Sequence, residues 1–151
     1  MPRLHTVSTE ELRAAMTEAE RASLPDSVGG VELEAWLRSL LLHAADRVVG
    51  AINSCERNAR IATGLCRVPA ECVHTVLVLA RHAAISAVPG LANVLEGSSR
   101  AAEYATATRD LERLASCELL PLYELEEEDA ADSPGLSCMA FRGMAAHDWM
   151  L

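Results

Sequence analysis

Apolar residues along this chain recur at helical spacing in three long blocks and one short one. The most apolar block is Leu65–Val88, where Cys72, Val73, Val76, Leu77, Val78, Leu79, Ala80, Ala83, Ala84 and Ile85 spread around the helix instead of forming one stripe. A helix apolar on most sides is buried on most sides. Val68-Pro69 opens this block and Val88-Pro89-Gly90 closes it, a proline start and a proline–glycine stop. Glu71, His74, Arg81 and His82 interrupt it, so it does not read as a membrane span.

The other blocks frame this one. Ser8 and Glu11 stand at capping-box spacing, and Leu12, Ala15, Met16 and Ala19 predict a single short amphipathic helix to about Ala22, after a short arm at residues 1–7. Leu24 to Gly30 reads as a loop. A second helix is predicted from Val31 to about Asn53, its stripe made by Leu33, Trp36, Leu37, Leu40, Leu41, Ala44, Ala45, Val48, Val49 and Ile52. Gly50 lies inside it, which suggests a close packing contact there, because glycine costs about 1 kcal/mol against alanine in a helix. Residues 54–67 break the periodicity and carry Arg57, Arg60 and Arg67. A last helix is predicted from Ser98 or Ser99 to about Ser116, with Ala101, Tyr104, Thr108, Leu111 and Leu114 or Ala115 facing inward. The pattern predicts an all-α protein, a small four-helix bundle over residues 1–117 with an extended C-terminal tail over residues 118–151.

Composition supports helices over sheets. Of 151 residues half are apolar, yet only Trp36, Tyr104, Tyr123, Phe141 and Trp149 are aromatic, so Ala, Leu and Val fill the core. The net charge is −9, and the excess is local: residues 118–132 hold seven acids and no base, whereas residues 1–117 hold 14 acids and 12 bases. No basic face for general nucleic-acid binding is evident. The acidic stretch, broken by Pro134-Gly135, reads as a linker outside the bundle. Phe141, Arg142, Trp149, Met150 and Leu151 read as a docking end, because free apolar termini are costly to expose.

Candidate chemistry is thin. Cys66, Cys72 and His74, with Cys55 nearby, lack the close ligand pairs of a zinc site, and buried free cysteine is the preferred reading. Five irregularly spaced cysteines and no basic-then-apolar leader give a reduced, intracellular setting as the default. No phosphate loop, nucleophile elbow or HExxH motif accompanies a Cys/His pair, so no catalytic residue, cofactor or metal is assigned and the protein is not expected to be an enzyme. The Arg57, Arg60 and Arg67 loop and the His74, Arg81 and His82 face are candidate subunit or partner contacts, weighed against a solvated loop and ordinary packing residues.

The order of these blocks resembles the Mu-like phage head–tail connector (adaptor, head completion) family. STEELRAAMTEAERASLPD, residues 8–26, is similar to that family's short first helix ending in Leu-x-Asp. Ala44-Ala45-Asp46-Arg47-Val48-Val49-Gly50 resembles its "A-x-x-x-I-x-x-Y" helix. Val68-Pro69 with Leu79-Ala80-Arg81-His82 resembles "V-P-x-x-L…I-A-x-Y", and RAAEYATATRDLERLA, residues 100–115, resembles "R-Y-x-x-A-x-x-W-L-x-x-I-A". The likeness spans residues 8–117. It departs in the missing tyrosines at the ends of the second and third helices and in the cysteine-rich 54–67 connection. The resemblance implies a structural protein of the virion neck, assembled in the host cytoplasm. Such adaptors form a ring, usually of twelve subunits, beneath the portal protein and join it to the next neck or tail protein. DNA passes through the channel without specific binding. It also implies that Phe141, Arg142, Trp149, Met150 and Leu151 meet the portal, and that the neighbouring subunit covers part of the Leu65–Val88 helix. The alternative is a small intracellular helical regulatory or interaction protein.

Overall fold

The computed structural model describes residues 2–91 and 99–131. Helices dominate it: α1 (Thr9–Ala14), α2 (Glu18–Ala22), α3 (Leu33–Ser54), α4 (Val73–Ala87) and α5 (Ser99–Ala115). Two short antiparallel ladders accompany them. β1 (His5–Thr6) pairs with β4 (Arg67–Val68), and β2 (Ser27–Val28) pairs with β3 (Val31–Glu32). The helical class agrees with the sequence reading. The ladders, and five helices among the described residues, do not.

The expected single N-terminal helix is two. Ser8 and Glu11 form the capping box of α1, but Thr17 and Glu20 form a second one that starts α2. Thr17 is extended (φ −74°, ψ 164°), so its side chain accepts from the Glu20 N–H at 3.1 Å and the helix breaks at Met16-Thr17. The loop at residues 24–30 contains the β2–β3 hairpin. Gly29 and Gly30 have φ of +59° and +83°, as a two-residue turn with both central residues left-handed requires. That hairpin delivers the chain into α3.

α3 buries Leu37, Leu41, Ala44, Ala45, Val48, Val49 and Ile52, one continuous stripe at three- and four-residue steps. Gly50 is exposed, and a Cβ there would meet nothing within 4 Å, so the expected close contact is absent. α4 is shorter at its start than the apolar block. Val68, which precedes Pro69, is disfavoured from helical geometry and joins β4 instead. A 3-10 turn, Ala70–Cys72, then leads into the helix. α4 buries Thr75, Val76, Val78, Leu79, Ala80, Arg81, Ala84 and Ile85, while Val73, Leu77, His82 and Ala83 are half-buried. A single chain therefore covers most of the surface expected to need a neighbour. α5 presents Ala107 and Leu114 to the core and half-buries Ala101, Tyr104, Thr108 and Leu111. α3, α4 and α5 pack on one another, and α1 lies across α3 and α4.

The segment after α5 departs most from expectation. Glu118 N–H donates to Arg113 C=O (2.8 Å) and Cys117 N–H to Leu114 C=O (3.3 Å), the paired bonds of a Schellman ending. Cys117 takes the left-handed position of that motif, φ +67°, where glycine is usual. A side chain there costs about 1–2 kcal/mol. The chain then folds back along the helices. Pro121, Tyr123 and Asp129 are buried, whereas Leu120 and Leu122 are exposed. Residues 118–131 are thus a strap on the bundle, not a linker outside it.

Candidate functional site

The strap lies against the 55–67 loop, and the two order each other. At the end of α3 the Asn53 side chain accepts from Ile61 N–H and donates to Ile61 C=O, both at 2.9 Å. Asn58 Nδ2 donates to Ile52 C=O at 3.0 Å, and Ile61 is fully buried. The apparent break in periodicity is therefore a pinned loop.

The strap meets this loop along its length. At its root, Cys55 and Cys117 form a disulfide with Cα atoms 5.3 Å apart. In its middle, the Tyr123 hydroxyl donates to Ala59 C=O. At its end, Ala62 N–H donates to Asp129 C=O (2.7 Å), Ala131 N–H donates to Arg60 C=O (3.3 Å), and Ile61 bridges Ala130. A second edge is tied elsewhere: Leu122 N–H donates to Glu71 Oε1 (3.0 Å) and Glu124 N–H to Pro2 C=O (2.9 Å).

Charge follows the same seam. Arg67 lies 3.1 Å from Asp129 Oδ1 and 3.6 Å from both Glu126 and Glu128. Asp129 is fully buried, and its other oxygen accepts from Glu126 N–H at 3.1 Å. Asp129 Oδ1 and Arg67 Nε make no well-formed hydrogen bond, so the pair is held by proximity more than by directed bonds. The acidic run, expected as a linker outside the bundle, and Arg67, expected as a partner contact, meet inside one chain.

Beneath the strap is a cavity of about 280 Å³, walled by Glu71, Cys72, Thr75, Asp110, Leu114 and Pro121. Burial, with the carboxylates of Glu71 and Asp110, pushes the Cys72 thiol up to about 12. A thiol held that high is mostly protonated at neutral pH. His74 is exposed and faces a different cavity between α4 and α5. Burial, with Asp46 and Glu11, also raises the Cys66 thiol, and burial, with Cys72, raises the Tyr123 phenol.

The other expected contact residues are scattered. Arg57 and Arg60 are exposed. Arg81 is buried, donating to Ala15 C=O at 2.9 Å and pairing with Glu103, which removes it from any subunit surface. His82 stacks on Tyr104 with ring centroids 3.6 Å apart, and burial lowers its pKa. Phe141, Arg142, Trp149, Met150 and Leu151 lie outside the described residues. The expectation of free cysteines holds at Cys66 and Cys72 and fails at Cys55 and Cys117.

Sequence reasoning missed Asn53, Cys117, Tyr123 and Asp129. One signal was available for Cys117: it falls directly after the last helical turn, where a glycine is expected. Among the described residues no three His, Cys, Asp or Glu side chains are grouped to hold a metal, and no helix is long and apolar enough to cross a membrane. What the arrangement does is hold a strap against the bundle. Compared with family models, with curated proteins and with solved structures, the chain matches none.

Proposed function

We propose that this chain is a head–tail connector (adaptor) of a tailed phage or phage-like particle, forming a ring beneath the portal and joining it to the neck or tail. The observation that carries this reading is the order of elements over residues 8–117. A capped short helix, the long α3, the Pro69-led α4 and the closing α5 follow one another as in the family that the sequence resembles. In this reading the fold is a four-helix bundle whose fourth limb is the broken pair α1 and α2, and the function is association, not chemistry. Two further features support it. The strap exposes Leu120 and Leu122 beside the exposed Glu118 and Glu124, an apolar and acidic ridge open to a neighbour. The net charge of −9 favours a channel that keeps DNA mobile by repulsion.

The C-terminal residues Phe141, Arg142, Trp149, Met150 and Leu151 anchor the chain on the portal, since buried aromatic side chains dominate interface energies. The test uses the purified chain and a truncation lacking residues 133–151, each with and without portal. Mass photometry and negative-stain images of the full chain with portal show rings. Circular dichroism of the truncated chain is unchanged, and its portal binding is lost. Undiminished binding by the truncation removes the docking role. A particle that stays monomeric or dimeric with portal present favours the small regulatory protein instead.

A further inference from the structure

We propose that the Cys55–Cys117 disulfide is a redox latch: a dithiol reductant opens it, the strap leaves the start of α4, and the Cys72 side chain becomes accessible. This inference stands apart from the connector reading.

Three observations carry it. First, the bond sits at the root of the strap, joining the residue that ends α3 to the residue that turns the chain out of α5. Second, Cys117 is left-handed, and that conformation aims the strap back along the helices. The cross-link fixes Cys117 there. Without it only the Schellman bonds oppose the usual penalty on a side chain in this region, and the residue is freer to relax to another direction. Third, the strap covers one particular place. Leu119 and Pro121 wall the cavity that holds Cys72, and Leu122 N–H is bonded to Glu71.

Opening is local because the strap gives the core little: Tyr123 joins the apolar cluster, and Leu119 and Leu125 pack only on its edge. Leu37, Leu41, Val48, Ile52, Val76, Leu79 and Ala84 belong to the apolar cluster shared by α3 and α4. With the latch open, the strap's remaining ties include the Tyr123 hydroxyl and the Asp129–Arg67 pair.

The chemistry is thiol–disulfide exchange. Cys117 is the partly exposed partner, so a reductant thiolate attacks its sulfur. The Cys55–Cys117 bond breaks as a mixed disulfide forms and Cys55 leaves as a thiolate. The second thiol of the reductant then displaces Cys117. The reductant departs as a cyclic disulfide, having given two electrons and two protons to the two cysteines.

The test uses the full chain in four forms: air-oxidised, reduced by dithiothreitol, C55S/C117S, and C55S/C117G. Brief N-ethylmaleimide labelling with peptide mapping reads Cys72, and amide hydrogen exchange reads residues 118–131 and α3. The reduced chain and C55S/C117S label Cys72 about tenfold faster than the oxidised chain, with strap exchange faster by a similar factor. Exchange in α3 stays far slower than in the strap, quickening only with the shared loss of global stability. C55S/C117G recovers part of the protection, because glycine takes the left-handed position without penalty. Three results overturn the proposal: Cys72 equally protected in all forms; α3 exchanging together with the strap, which makes the bond a staple of the whole fold; or free Cys55 and Cys117 thiols in the air-oxidised protein.

Discussion

Between α3, α4 and α5 the contact surface is almost wholly Ala, Leu, Val and Ile, whereas the strap packs only Tyr123, Leu119 and Leu125 on the core and is otherwise held by one disulfide, one phenol hydroxyl, one buried Asp–Arg pair and a few backbone bonds. The first region is stabilised by burial, which has no preferred direction and is shared over many side chains, each contributing about 1.5–3 kcal/mol. The second is stabilised at points, and each point needs a particular partner in a particular place. A core of the first kind weakens by degrees when one side chain shrinks. A seam of the second kind loses a whole attachment when one atom is removed. Under the proposed latch, strong burial keeps the bundle folded while the strap changes state.

The largest effect expected is in the core. Leu41→Ala, at a position 1% exposed, lowers stability by about 2–5 kcal/mol, read from the urea midpoint. Helix signal and strap protection are lost together, because the strap has no bundle to lie on. Helix melting that leaves the strap ordered would reverse the proposed dependence. Next comes the cross-link. It closes a loop of 62 residues, and the chain-entropy account gives it about 4 kcal/mol against global unfolding. Urea melts of the oxidised protein and of Cys117→Ser measure that difference. A shift near zero would mean that the unfolded chain gains no freedom when the bond is lost.

The same contrast explains what was legible in the sequence. The stripe from Leu33 to Ile52 and the inward faces of α4 and α5 repeat over several turns, so periodicity reveals them. Leu114 falls where the spacing puts it, whereas Ala107 is buried one position before the expected Thr108. The break at Thr17 is written in the sequence as a second Thr-x-x-Glu, which the apolar spacing through Met16 and Ala19 masks. The seam has no repeat. Asp129 looks like any member of an acidic run until its neighbour is known to be Arg67, 62 positions earlier. Cys55 and Cys117 look like two of five irregular thiols, because nothing local says that the ends of α3 and α5 meet. Arg81 reads as a break in an apolar face, and only the fold shows that Glu103 and Ala15 C=O receive it.

A smaller effect isolates one point of the seam. Tyr123→Phe removes the hydroxyl bonded to Ala59 C=O and keeps the buried ring. The expected cost is about 1 kcal/mol, the net worth of one hydrogen bond. Hydrogen exchange should place it in the strap and the 55–67 loop, with α3 and α4 unaffected. If the loss spreads evenly over the helices, the strap is part of the cooperative core and the two regions are one.

The smallest effect tests whether polar ties are confined to the seam. Glu20 on α2 is buried and bonds Arg100 of α5 at 2.7 and 3.2 Å. Burial works against its charge, but the Thr17 N–H and Arg100 outweigh burial, so its carboxyl is held below the ordinary 4.5. A carboxyl with a folded value below its unfolded one favours the fold while it is ionised in both states. Its contribution is present above pH 4.5 and is lost as the pH falls through the lower, folded value. Acid should therefore loosen the α2–α5 junction before it touches the apolar faces of α3 and α4. In Glu20→Gln that acid dependence flattens, because no proton is taken up at this site. Glu11 is a second candidate of the same sign: burial opposes its charge, and His5 and Ser8 hold its value low. An unchanged acid slope in Glu20→Gln, together with a flattened one in Glu11→Gln, would move the acid-sensitive tie from α2 and α5 to the start of α1.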